Sequence, residues 1–166
     1  MQANASWIRS AYARATALLN TLQSPLLLAI RLYWGWQFAV DGWGKLTHLA
    51  KVTDYFTTLN LPAPHFTAIV VALVEFLGGI LLAIGLGTRL VSLILFVNMT
   101  VAFLAAESDA FFSFLSNPDK FQGADAYNYW FAALLILILG PGSLALDRFI
   151  AGKGSAGRET RESIRA

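Results

Sequence analysis

Polar residues are scarce along most of this chain, and where they cluster they divide it into four long apolar stretches at about 25–44, 66–87, 89–106 and 127–147. Each is close to the roughly 20 residues needed to cross a bilayer as a helix. The pattern therefore predicts an all-α protein, a four-helix transmembrane bundle. Before the first stretch, Ile8, Tyr12, Ala15, Leu19 and Leu22 recur at helical spacing, with Arg9, Arg14 and Thr16 elsewhere on the wheel. Residues 1–24 are thus expected to form a helix lying on the interface, and Ser24 with Pro25 to cap the next one. The stretch "LTHLAKVTDYFTTLNLPAPHF" is too polar to span. Leu49, Val52, Tyr55, Phe56 and Leu59 nevertheless share a helical period, which predicts a short amphipathic helix in this loop, stopped by "LPAP". The second outer loop, with Phe111, Phe112, Phe114 and Leu115 beside Asn117 and Pro118, reads either as an interfacial wedge or as part of an ordinary aromatic belt with Tyr127, Tyr129 and Trp130. The domain plan is then residues 1–24, a bundle at 25–147, and a basic, disordered tail at 148–166.

Composition agrees. The chain has 166 residues, 57% hydrophobic and 13% charged, where soluble domains carry about 25% charged residues. No small-x-small cleavage pattern follows the first apolar run, so the first helix is expected to be retained. With no cysteine, this sequence builds no disulfide, thiol relay or iron–sulfur cluster.

Charge adds an orientation. Arg9, Arg14, Arg89, Arg148, Lys153, Arg158, Arg161 and Arg165 fall on one side of the predicted bundle, against Lys45, Lys51 and Lys120 on the other. The positive-inside rule makes both termini cytoplasmic and the location the cytoplasmic membrane. The partners expected are the lipid bilayer, anionic lipid or a cytoplasmic protein at the basic tail, and a second copy of the chain. No nucleic-acid surface, phosphate loop or catalytic triad is visible. His48 and His65 lack further ligands at metal spacing, so no metal is expected.

The candidate chemistry lies inside the apolar stretches. In "RLYWGWQFAVDGWGK", Arg31, Gly35, Phe38, Gly42 and Lys45 fall at roughly 0, 40, −20, 20 and −40° on a helical wheel, sharing one narrow face flanked by Trp34 and Asp41. In "VALVEFLGGILLAIGLGTRL", Glu75, Gly79, Ala83 and Gly87 form a small-residue ridge that lets another helix approach closely. A lone glutamate at the bilayer centre costs about 2.5–3.5 kcal/mol, so Glu75 must be paired or protonated. Counting about 1.5 Å per residue from the predicted ends puts Arg31 roughly 9 Å deep and Glu75 roughly 17 Å deep. An extended arginine spans that gap, so Arg31 is expected to meet Glu75, with Asn98 as a third member and Asp41 as a rival partner for Arg31. Glu75 serves either a ligand or proton, or only the fastening of the bundle.

Three stretches resemble the signatures of the DoxX family of small four-helix membrane proteins. They are "RLYWGWQFAVDGWGK" (Arg31, Gly35, Phe38, Gly42, Lys45), "EFLGGILLAIGLGTRL" (Glu75, Gly78, Gly79, Gly85, Arg89) and "GPGSLALD" (Gly140, Gly142, Leu146, Asp147). "LNLPAP" is similar to the family's loop before its second helix, except that Asn60 stands where glycine is common. The resemblance implies kinship with a membrane subunit of thiosulfate:quinone oxidoreductase. The function expected is thus a subunit that holds a quinone or similar apolar molecule for a redox partner protein, having no redox cofactor of its own. Arg31, Tyr33, Trp34, Phe38, Asp41, Lys45, Glu75 and Asn98 are the candidate ligand residues, with Glu75 as proton relay. The alternatives are a non-enzymatic scaffold or assembly factor and a small carrier.

Overall fold

The computed structural model describes residues 3–150, and these contain helices and no strand. Helix α1 runs unbroken from Ala3 to Thr47, with Pro25 inside it. The break expected at Ser24 and Pro25 is absent. A proline removes one intrahelical bond, but the flanking leucine- and alanine-rich turns favour helix on both sides. Ser24 is also otherwise engaged: its Oγ accepts the Ser143 amide, 3.2 Å away. Upstream, Tyr12, Leu18, Leu19 and Leu22 are exposed among the described residues.

Helix α2, Leu49–Thr58, is the amphipathic element the period predicts, and none of its residues is buried. The connection to α3 (Pro64–Ile84) passes through Asn60 and Ala63 in the left-handed region, at φ 54° and 45°, and Pro64 starts the helix. Asparagine tolerates that conformation better than most residues, so it can stand at position 60.

Gly85, at φ 76°, closes α3. The Leu86 amide donates to the Leu81 carbonyl at 3.0 Å and the Gly85 amide to Leu82 at 3.2 Å, a Schellman ending that satisfies carbonyls the helix leaves free. Helix α4, Thr88–Ala106, follows at once. Two short helices, α5 (Ser108–Phe111) and α6 (Pro118–Gln122), lead to α7, Asp125–Leu139. Their loop divides its aromatics. Phe111 and Phe121 pack on the buried Phe103 and on Trp130, while Phe112, Phe114 and Leu115 are left exposed.

The last apolar stretch was expected to be helical through residue 147, yet α7 ends at Leu139. Gly140 adopts φ 81°, ψ −170°, a region essentially reserved for glycine, and Pro141 disfavours helical backbone before it. Beyond this point the chain is irregular as far as Ala145, which is buried, and turns helical again over 146–150; the Asp147 amide donates to the Gly85 carbonyl at 3.0 Å.

Among the described residues α3 and α4 are long and apolar enough to cross a membrane, with mean hydropathy 2.5 and 2.0. The first apolar stretch is interrupted by Arg31 and Asp41, and α7 has only 15 residues, about 22 Å.

Helices α1 and α3 pack antiparallel along the expected seam of small residues. A Cβ on Gly35 would lie 2.7 Å from the Gly79 carbonyl oxygen, and one on Gly42 would lie 2.8 Å from the Ala72 carbonyl oxygen. Backbones this close leave no room for a side chain. Phe38, Leu82, Leu95, Met99 and Ile136 form the core beside that seam.

Candidate functional site

The seam sets the register of α1 against α3, and the register decides which charges meet. Gly35 faces Gly79 and Ala83, and Gly42 faces Ala72 and Phe76. Glu75 is therefore level with Asp41, one turn short of Lys45, at the opposite end of the α1 face from Arg31. The Lys45 ammonium forms an ion pair with Glu75, whose side chain is 1% exposed. Asn98 on α4 donates its amide Nδ2 to the other carboxylate oxygen at 3.2 Å. Lys45 also stands in the last turn of α1, where a cation is favoured by the unpaired carbonyls of the helix end. Three helices thus converge on one buried carboxylate.

The expected Arg31–Glu75 pair is not formed. Arg31 stands level with Gly85, ten residues or about 15 Å from Glu75 along α3, too far for its side chain. The expectation failed because it aligned the start of the first span at Pro25 with the end of α3. The helices are offset by more than a turn. Arg31 is instead fully buried at the other end of the seam, donating Nη2 to the Leu144 carbonyl at 2.7 Å. Its Nε and Nη1 have no partner among the described residues. Asp41 does not take Arg31 either: its carboxylate accepts the Tyr129 hydroxyl from α7.

Next to the Arg31 guanidinium, Asp147 accepts the Gly87 and Thr88 amides at 2.7 and 2.9 Å, capping α4 from the far end of the chain. Burial alone would raise the Asp147 carboxyl, but the Thr88 and Gly87 amides, with the Arg31 charge behind them, hold it below its ordinary value. Gly85 has no side chain where this guanidinium passes.

A cavity of about 320 Å³ opens beside the Lys45–Glu75 pair. Its polar lining is Asp41, Lys45, Glu75 and Tyr129, with Glu107 and Asp125 toward the loop end. Phe38, Val71, Met99, Ala102 and Ala106 form apolar walls, and Tyr55 and Phe56 of α2 lie across it. The Tyr129 ring is fixed edge-on against Phe38 and Trp34, at 5.0 and 5.3 Å between centroids. Glu107 accepts the Asp125 and Ala126 amides at 3.2 and 3.3 Å, so it caps α7 as well as lining the cavity. The volume lies within the roughly 300–1,000 Å³ of small-molecule pockets.

Of the eight residues singled out in the sequence, Phe38, Asp41, Lys45 and Glu75 line this cavity, and Asn98 touches it through Glu75. Trp34 stands one layer behind, against Tyr129. Tyr33 is 60% exposed and lies outside it, as does Arg31. Tyr129, Met99, Glu107 and Asp125 were not anticipated. For Tyr129 a signal existed: it shares a helical face with Ala133 and Ile136, both buried.

Comparison with known proteins adds a family model described as DoxX, which matches residues 26–108, half of the chain. Among curated proteins, "Putative oxidoreductase CatD" of Bacillus subtilis (strain 168) is 27% identical over 74% of this chain and 85% of its own length. "Inner membrane protein YqjF" of Escherichia coli (strain K12) is 26% identical over 81% of this chain and 99% of its own. "Inner membrane protein YphA" of the same organism is 28% identical over 74% and 89%. No solved structure matches.

Proposed function

The chain belongs to the DoxX family of membrane proteins, and from that premise we propose that it is a cytoplasmic-membrane subunit which binds a quinone or similar apolar molecule and supports an oxidoreductase. In this reading α1 from about Pro25, α3, α4 and α7 cross the bilayer as a four-helix bundle with both termini cytoplasmic. The short α7 is compatible with spanning because the irregular segment 140–145 completes the depth, leaving Asp147 at the membrane edge. Non-helical backbone is tolerated there only when buried in protein, and Leu144, Asp147, Gly87 and Thr88 are bonded as described.

The observation that carries the proposal is the cavity, where donors and acceptors converge on an apolar slot. Lys45 keeps two ammonium hydrogens beyond the one on Glu75, and Asn98 a second amide hydrogen. These suit the carbonyl oxygens of a quinone, while Asp41 and Glu75 suit the hydroxyls of its reduced form. Phe38, Val71 and Met99 would hold the ring. Bound there, a quinone would supply the electron chemistry that the chain lacks, and a partner protein would deliver the electrons. The chain's own part is to orient the head group and hold a proton on Glu75, with Glu107 and Asp125 leading toward water. The printed name of the Bacillus relative supports an oxidoreductase setting. Titration of the purified protein with a short-chain benzoquinone tests this: saturable binding is expected, weakened at least about tenfold by Glu75→Gln, a loss of one charge-assisted contact. No saturable binding, or unchanged binding by the variant, sinks it.

A second reading, a scaffold or assembly factor, draws on the way Glu75 ties α1, α3 and α4 together. In that case the ion pair only fastens the bundle.

A further inference from the structure

We propose that the occupant of the main cavity carries an apolar chain, and that this chain leaves sideways through a smaller cavity beneath α2 into the lipid. The inference rests on reading the main cavity as a small-molecule site. The smaller cavity, about 80 Å³, shares Tyr55, Phe56, Val71, Ala102 and Ala106 with the larger one, so the two abut along one wall. Beyond that wall its lining includes Leu59, Leu61, Val101 and Ala105. Val101 is 54% exposed, and Val97 and Leu104 beside it on α4 are exposed too. The smaller cavity therefore reaches the outer apolar face of α4, the face this reading turns to lipid.

The wall between the cavities is easily moved. Helix α2 has no buried residue, and Tyr55 is 51% exposed. Rotating it sacrifices little packing, since core contacts are what make displacement costly. A compact polar molecule would gain nothing from the second cavity, where few groups could bond to water or to a head group. A chain of methylene or isoprenoid units would exchange one apolar environment for another while its head stays at Lys45, Glu75 and Asp41. The ligand class that fits is a lipid-soluble molecule with a small oxygen-bearing head and a single tail.

Ala105 lines the smaller cavity and not the larger, so Ala105→Phe blocks the tail path without touching the head site. The probes are a tail-less dimethoxybenzoquinone and the same head bearing a ten-carbon chain, titrated into wild type and variant. The ratio of wild-type to variant affinity for each probe cancels partitioning into detergent. The expected result is a loss of about tenfold for the chain-bearing probe, the worth of about two buried methylenes, with the tail-less probe changed less than about twofold. Ala105→Leu gives the same discrimination more weakly and serves if the phenylalanine variant does not fold. Equal losses for both probes, or an unchanged chain-bearing probe, overturn the lateral path while leaving the head site standing. If neither probe binds wild type, the reading of the main cavity fails, and this inference fails with it.

Discussion

Two basic residues on one face of α1, Arg31 and Lys45, stand about 21 Å apart and have opposite fates. Arg31 is sealed: it is fully buried, and its bonded partner is the Leu144 carbonyl. Lys45 is partly exposed and meets side chains, Glu75 directly and Asp41, Tyr129 and Asn98 through the same cluster. Backbone acceptors are fixed by the fold, so a charge bonded to them works as a fastener. Side-chain partners can turn, change protonation or exchange for a ligand, and a cavity lies beside them. What separates a structural charge from a candidate functional one here is the kind of partner and the space next to it, not depth of burial.

The strongest way to break this contrast is Arg31→Ala. It removes a large, fully buried side chain and leaves the Leu144 carbonyl without its donor. A loss on the order of 3 kcal/mol is expected, read as a lower unfolding temperature in detergent, while quinone affinity of the folded fraction stays near wild type. If affinity collapses and stability does not, Arg31 belongs to the binding site and the two ends are not different in kind.

A smaller effect sharpens the other side. Lys45→Met, Glu75→Gln and the double variant form a cycle on the open cluster. A coupling of about 1–3 kcal/mol in unfolding free energy is expected for a contacting pair, with the double variant less destabilised than the sum of the singles. Additive losses would mean that the pair does not fasten the bundle, which removes the scaffold reading.

Much of this was legible in the sequence, because faces follow from spacing. The four-residue step from Glu75 to Gly79 and Ala83, and the matching Gly35 and Gly42, mark the seam along which α1 and α3 pack. The period of Leu49, Val52 and Phe56 marks α2. What spacing does not carry is the axial offset between helices. A shift of more than a turn redirected Glu75 from Arg31 to Lys45, since each side chain reaches only about one turn. The end of α7 was hidden for a different reason: residues 144–146 stay apolar past Gly140 and Pro141, and hydropathy alone does not separate a continuing helix from an irregular segment in which Ala145 is buried while Leu144 and Leu146 are exposed. Tyr129 and Glu107 became visible only once α7 was placed, because their partners Asp41 and Ala126 lie on elements brought together by packing.

The smallest expected effect tests whether the sealed end depends on charge at all. Asp147 lies outside the apolar helices, accepts the Gly87 and Thr88 amides, and is held below its ordinary carboxyl value of 3.8. A carboxyl that is more acidic folded than unfolded stabilises the protein fully above its unfolded value, and that contribution fades as pH falls through the lower, folded one. Wild type should therefore lose unfolding temperature as pH drops below about 4, whereas Asp147→Asn starts lower and changes less. The gap between the two curves should narrow with acid. It stays small, because Asp147 is only partly buried and solvent screens it. If the gap is constant down to about pH 3, the side chain acts as a neutral acceptor for two amides, and the cap on α4 owes its strength to geometry alone.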